Sequence, residues 1–244
     1  MASLDELRGR IRAMGSEASA RLARRYFKTG RGDYAEGDLF LGVSVPRLRA
    51  LLPAAGNLSE AELEELLRSV WHEERLLALL SLVARFQGVR GEEASRDRLA
   101  RLYLSNLAFV NNWDLVDSSA PQVLGDWLLG RDRGVLDVLA GSPVLWERRV
   151  AVVATLAFIR AGELEWTFRL VRRLLGDVQD LMHKACGWML REAFKKNAAP
   201  VLSFLEAHGA HMPRTMLRYA IERLPTSERK QLLDRYRSRK PPLG

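Results

Sequence analysis

Along most of the chain, apolar residues recur at helical rather than strand intervals. Leu63, Leu66, Leu67 and Val70 occupy the i, i+3, i+4 and i+7 positions of one helix face. Ser3 with Glu6, and Ser59 with Glu62, have the spacing at which a hydroxyl and a carboxylate cap one helix start reciprocally. Pro46 suits the first turn of a helix running to about Leu52. Gly30, Gly32 and Gly37 punctuate a polar loop between Lys28 and Asp38. The valine-rich run from Val150 to Ile159 could be taken for a strand. Its length, the flanking Arg148 and Arg149 and the following Gly162 favour a buried helix. No alternation of polar and apolar residues argues for a sheet. The pattern predicts an all-α protein.

A degenerate period overlies the helices. Trp71-His-Glu-Glu-Arg-Leu-Leu resembles Trp146-Glu-Arg-Arg-Val-Ala-Val, with Arg75 and Arg149 separated by 74 residues. The midpoint, Asn112, lies just before Trp113; Lys184 follows Arg149 by 35 residues and Arg218 follows Lys184 by 34. Helix pairs recurring at such an interval predict an α-solenoid of HEAT-like, armadillo-like repeats. The helices near 75–86, 112–118, 149–160, 184–195 and 215–223 are then equivalent and line one surface, expected to be concave and basic. The expected organisation is one repeat domain over residues 1–234 and a basic tail over 235–244.

Composition narrows the class. With 48% hydrophobic residues in 244, the chain can bury a core, which excludes a wholly disordered protein. The longest predominantly apolar run, Val150 to Ile159 with Thr155 within it, has ten residues, half of the roughly 20 a bilayer span needs. A single cysteine, Cys186, cannot form an intramolecular disulfide and argues for a reducing compartment. The N-terminus opens with Asp5, Glu6, Arg8 and Arg10 rather than an apolar signal core. A cytoplasmic protein without a membrane partner is expected. The net charge of +8 is unevenly placed, because residues 141–244 hold 19 Lys and Arg against 10 Asp and Glu. A one-sided basic excess on a folded chain points to a polyanion, although an Arg-rich soluble surface would look the same.

Two segments could carry chemistry. In Asn111-Asn112-Trp113-Asp114-Leu115-Val116-Asp117-Ser118, Trp113 and Asp117 are four apart and share a helix face. In Lys184-Ala185-Cys186-Gly187-Trp188-Met189-Leu190-Arg191-Glu192, Trp188 and Arg191 share a face and Lys184 lies one turn back. Arginines neutralise phosphates, and indoles pack against sugars or bases. A carboxylate in such a surface suits positive charge developing on a substrate. Taken alone, each segment is also compatible with core tryptophans and a helix-capping aspartate. His183 with Cys186, and His208 with His211, lack the spacing of a four-ligand set, so no metal is expected. Trp71, Trp127, Trp146 and Trp166 are assigned to packing between repeats.

At these segments the sequence resembles the HEAT-like-repeat alkylpurine DNA glycosylases of the AlkD type. The resemblance lies in Trp113-Asp114-x-Val116-Asp117-Ser118, Gly125-Asp126, Trp146-x-x-Arg149 and Gly187-Trp188-x-Leu190-Arg191-Glu192. It extends to Arg25-Tyr26-Phe27-Lys28 and Phe40-Leu41-Gly42-Val43. It implies a fold that holds duplex DNA on its basic face and excises an alkylated base without flipping it into a base-specific pocket. On that basis Asp117 is the catalytic carboxylate, and Trp113 and Trp188 pack against the deoxyribose and backbone at the lesion. Arg149 holds a phosphate, Arg191 and Tyr26 lie beside it, and Arg148 and Lys184 are further candidate DNA contacts. Asn112 stands where a relative has a second tryptophan, which bears on the width of the lesion site. The expected partner is duplex DNA containing alkylated bases, bound by a monomer without a cofactor.

The chemistry fits that implication. A purine alkylated at N3 or N7 already carries positive charge and leaves as a neutral base, so no general acid is required. What remains is to stabilise an oxocarbenium-like sugar and position a water, which one carboxylate can do. Two alternatives use the same scaffold: a non-catalytic protein that binds damaged or branched DNA, and an adaptor for another protein's acidic segment.

Overall fold

The computed structural model describes residues 3–236, and among these every regular element is helical. The all-α, helical-repeat expectation therefore holds. The chain divides into two compact units, Met1–Trp127 and Leu128–Gly244. Most of the expected basic tail, residues 237–244, lies outside the described residues.

The first unit contains α1 (Leu4–Ala13), α2 (Glu17–Tyr26), α3 (Val45–Arg49), α4 (Leu52–Ala55), α5 (Glu60–Leu67), α6 (His72–Gly88), α7 (Glu93–Ser105) and α8 (Trp113–Asp117). Both capping boxes form as expected, at Ser3 with Glu6 and at Ser59 with Glu62. The helix begun at Pro46 ends at Arg49 rather than about Leu52, and the separate α4 follows. Leu63, Leu66 and Leu67 are buried, but α5 stops at Leu67 and Val70 is 65% exposed beyond its end. The fourth position of that face is lost because the chain turns at Arg68 to begin α6.

Helix α6 forms the core of this unit, packed by α1, α3, α4, α5, α7 and α8. It is buried on nearly every side from His72 to Leu82. Gly42 brings the preceding loop against α2. Its φ of +79° is open to glycine, and a Cβ there would lie 2.2 Å from the Ser16 carbonyl oxygen. After α8 the chain makes one wide turn over Pro121–Gly125, in which the Gly125 N–H reaches the Ala120 carbonyl at 2.9 Å.

The second unit contains α9 (Gly134–Ala140), α10 (Leu145–Ala154), α11 (Leu156–Ala161), α12 (Glu165–Arg173), α13 (Asp180–Lys196), α14 (Ala198–His208), α15 (Arg214–Ala220) and α16 (Thr226–Arg235). The run from Val150 to Ile159 is buried helix as expected, interrupted at Thr155 between α10 and α11. Helix α13 packs against α10 and α15, so the helices assigned to equivalent register positions are neighbours within this unit. Gly187 lets α13 and α15 approach closely: a Cβ would fall 2.5 Å from the Met216 carbonyl oxygen and 2.5 Å from the Tyr219 Cβ.

Candidate nucleic-acid and lesion site

Four consecutive ionisable residues open α6, and burial forces each to find a partner. The Glu73 carboxylate accepts the N–H groups of Leu41 at 2.9 Å, Gly42 at 2.7 Å and Val43 at 3.2 Å. Glu74 accepts from the Ser69 hydroxyl at 2.7 Å and faces Arg8 and Arg12 of α1 at 3.5 and 3.3 Å. Arg75 donates to Asp38 at 2.5 Å and to the Ser69 carbonyl at 2.9 Å. His72, 2% exposed, lies with Nδ1 3.0 Å from Asp38 and Nε2 2.8 Å from Asp114.

Burial alone would lower the pKa of His72, but hydrogen bonds and charge from Asp114 and Asp38 outweigh it and raise the pKa to about 9. The ring is therefore an imidazolium at neutral pH, with a proton to donate on each side. Burial would likewise raise Asp38, yet His72 and Arg75 together hold its carboxyl below the usual range.

This buried cluster positions α8. Helix α8 has five residues, too few to persist without external anchors. Asn112 caps it, with its side-chain oxygen accepting the Trp113 N–H at 2.8 Å. Asp114 ties its first turn to His72. The Trp113 indole stacks on Phe27 with centroids 5.3 Å apart and meets Tyr26 edge-on at 6.0 Å. Phe27 in turn stacks on Phe40 at 5.0 Å and contacts His72 at 5.1 Å. Asp117, one turn after Trp113, is half-buried at the end of the helix. Burial first, and the nearby Asp117 charge in the same direction, push the Tyr103 phenol above its usual range.

In the second unit, Arg148, Arg149, Lys184, Trp188 and Arg191 lie on the packed pair α10 and α13. Arg148 grips Asp177 at 2.7 Å and donates to the Ser142 and Pro143 carbonyls, both at 2.9 Å. Arg149 is 5% exposed and donates to the Leu181 carbonyl at 2.7 Å. Lys184 pairs with Asp180 at 2.8 Å, and this bond lowers the Asp180 pKa. The Trp188 indole N–H donates to Glu192 at 3.2 Å. Arg191 pairs with Glu222 and holds that carboxyl below its usual range. A cavity of about 540 Å³ is lined by Lys184, Arg191, Arg218, Tyr219, Glu222 and Arg229.

The model of the DNA alkylation repair enzyme family matches residues 7–224. The chain belongs to that family. This places the family member in the repair of alkylated DNA, with DNA as its partner. No curated protein matches the chain. A solved structure similar to it, a predicted DNA alkylation repair enzyme from Enterococcus faecalis, superposes with a TM-score of 0.66 at 18% identity. That similarity covers 87% of this chain and 98% of the other, and it supports the fold.

The structure joins Tyr26 and Trp113 in one aromatic cluster and sets Asp117 one turn along the same short helix. Trp146 is buried in this repair protein, as its packing role predicts, and the Trp127 indole is held by Asp97 at 2.6 Å. The cluster of Asp38, His72, Arg75 and Asp114 escaped the sequence reading. Its signal was four ionisable residues heading a largely apolar helix after Trp71, a pattern that calls for partners wherever those residues are buried.

Proposed function

We propose that this protein hydrolyses the N-glycosidic bond of cationic alkylated purines, such as 3-methyladenine and 7-methylguanine, in duplex DNA. The observation that carries this reading is the coupling of Trp113 and Asp117 on one short helix anchored from its buried side. A carboxylate at the end of α8 can stabilise positive charge on the deoxyribose and orient a water toward it. The Trp113 face adds cation–π attraction worth on the order of 1–2 kcal/mol once water is excluded. The alkylated base leaves neutral, so no second carboxylate is required as general acid.

Following the resemblance, Trp188, Arg149 and Arg191 are assigned contacts to duplex DNA, and Lys184, one turn from Trp188 on the same helix, is a further candidate contact. The resemblance likewise puts the exposed ring of Tyr26 beside the damaged nucleotide. Arg148, whose guanidinium also holds Asp177 and two backbone carbonyls, is kept as a further candidate DNA contact. The reading supports action by a monomer in the cytoplasm without metal or cofactor.

The test is release of free 3-methyladenine and 7-methylguanine from methylated duplex DNA by wild type and Asp117→Asn. Wild type should release both bases, and the variant should lose about 100-fold or more in rate while duplex affinity changes little. Binding without release by either protein would make this a non-catalytic DNA-binding member of the family.

A further inference from the structure

We propose that His72 is a positioning residue for base excision, holding α8 so that Trp113 and Asp117 meet the lesion correctly; this rests on the glycosylase reading. Two routes lead from the imidazole to the site. One runs through Asp114, which follows Trp113 in the chain and faces Nε2 at 2.8 Å. The other runs through Phe27, whose ring contacts His72 at 5.1 Å and Trp113 at 5.3 Å. From the opposite side Asp38 faces Nδ1 at 3.0 Å, and Arg75 fixes Asp38 in turn. The Asn112 amide reaches the same Asp38 oxygen at 3.5 Å, so the cap of α8 shares this anchor.

The charged groups around the ring are Asp38 from the loop before α3, Asp114 from α8 and Arg75 from α6 itself. The rings of Phe27 and Phe40 also pack against it and do not titrate. Neighbouring Glu73 is committed to the backbone of Leu41, Gly42 and Val43. An imidazolium can donate to both aspartates, whereas a neutral ring can donate to one. Loss of its proton therefore leaves either α8 or the Asp38 loop with a carboxylate that no ring N–H meets. His72 lies behind the aromatic cluster and touches no reacting atom, so its influence passes through the aim of the α8 side chains. Misplacement of reacting groups by about 1 Å can cost about 100-fold in rate.

The experiment measures single-turnover release of 3-methyladenine by wild type, Asp114→Asn and His72→Phe on either side of pH 9. Near-ultraviolet circular dichroism of the same proteins reports the aromatic cluster, with Trp113→Phe identifying the indole contribution. Both variants should bind duplex DNA nearly as well as wild type yet excise about 10- to 100-fold more slowly. In wild type, rate and Trp113 signal should fall together through about pH 9, and Asp114→Asn should shift both toward neutral pH. Should His72→Phe fail to fold, Asp114→Asn carries the test, since its side chain is already partly in solvent. Wild-type rates and pH profile in folded Asp114→Asn would overturn the proposal. If wild type releases no base, the glycosylase reading fails by itself. The dichroism then decides the positioning role: a Trp113 signal that ignores both pH and Asp114→Asn overturns it.

Discussion

At the scale of single residues, the site depends on charges that could not be buried individually. His72, Arg75 and Asp38 are each almost wholly enclosed, and each is tolerable because the others neutralise it. Because the folded His72 pKa of about 9 exceeds its ordinary 6.5, its stabilisation is complete below about pH 6.5 and is lost as pH rises through about 9. The full effect is on the order of 3 kcal/mol, so the urea midpoint of wild type should fall over that interval. A midpoint flat from neutrality to above pH 9 would show that the ring does not titrate there. Gly42 gives a second residue-scale expectation. Gly42→Ala combines a φ of +79° with a collision against the Ser16 carbonyl and should destabilise by about 2 kcal/mol or more in urea unfolding.

At the scale of elements, two short-range devices set the helices that matter. Asn112 begins α8, and Asn112→Ala should cost about 1 kcal/mol for the lost cap, with a further loss from its contact to Asp38. Thermal unfolding measures this, and an unchanged melting temperature would make α8 independent of its cap. Between α13 and α15, Gly187 leaves no room for a methyl group. Gly187→Ala should separate these helices and destabilise by roughly 1–3 kcal/mol despite alanine's better helix propensity. A more stable variant would mean that α15 can move away freely. Capping boxes and apolar faces were legible in the sequence because their partners lie within four residues. The early end of α5 was not, because nothing within that window announces that Val70 turns outward.

At the scale of the whole molecule, the proposed function assigns the basic excess of residues 141–244 to the phosphates of DNA. Duplex affinity should fall steeply with salt, as released counterions require. Lys184→Gln, at a half-exposed position, should lower affinity for damaged and undamaged duplex alike and reduce the log–log salt slope by about 0.9. Titrations of both duplexes at several salt concentrations check this, and an unaltered slope would remove Lys184 from the phosphate contacts.

The sequence by itself determined the helical class, the recurrence of helix pairs and the pairing of Trp113 with Asp117 on one face. Each follows from a spacing of a few residues or from a repeat of such spacings. Tertiary structure alone decided that the guanidinium of Arg148 turns to Asp177 and backbone carbonyls. It alone showed that Gly187 serves a helix contact and that Asp114 answers a histidine 42 residues earlier. The physical reason is range. Periodicity records which side of a helix avoids water, whereas the partner of a buried charge is chosen by whichever distant segment folding brings within hydrogen-bond reach.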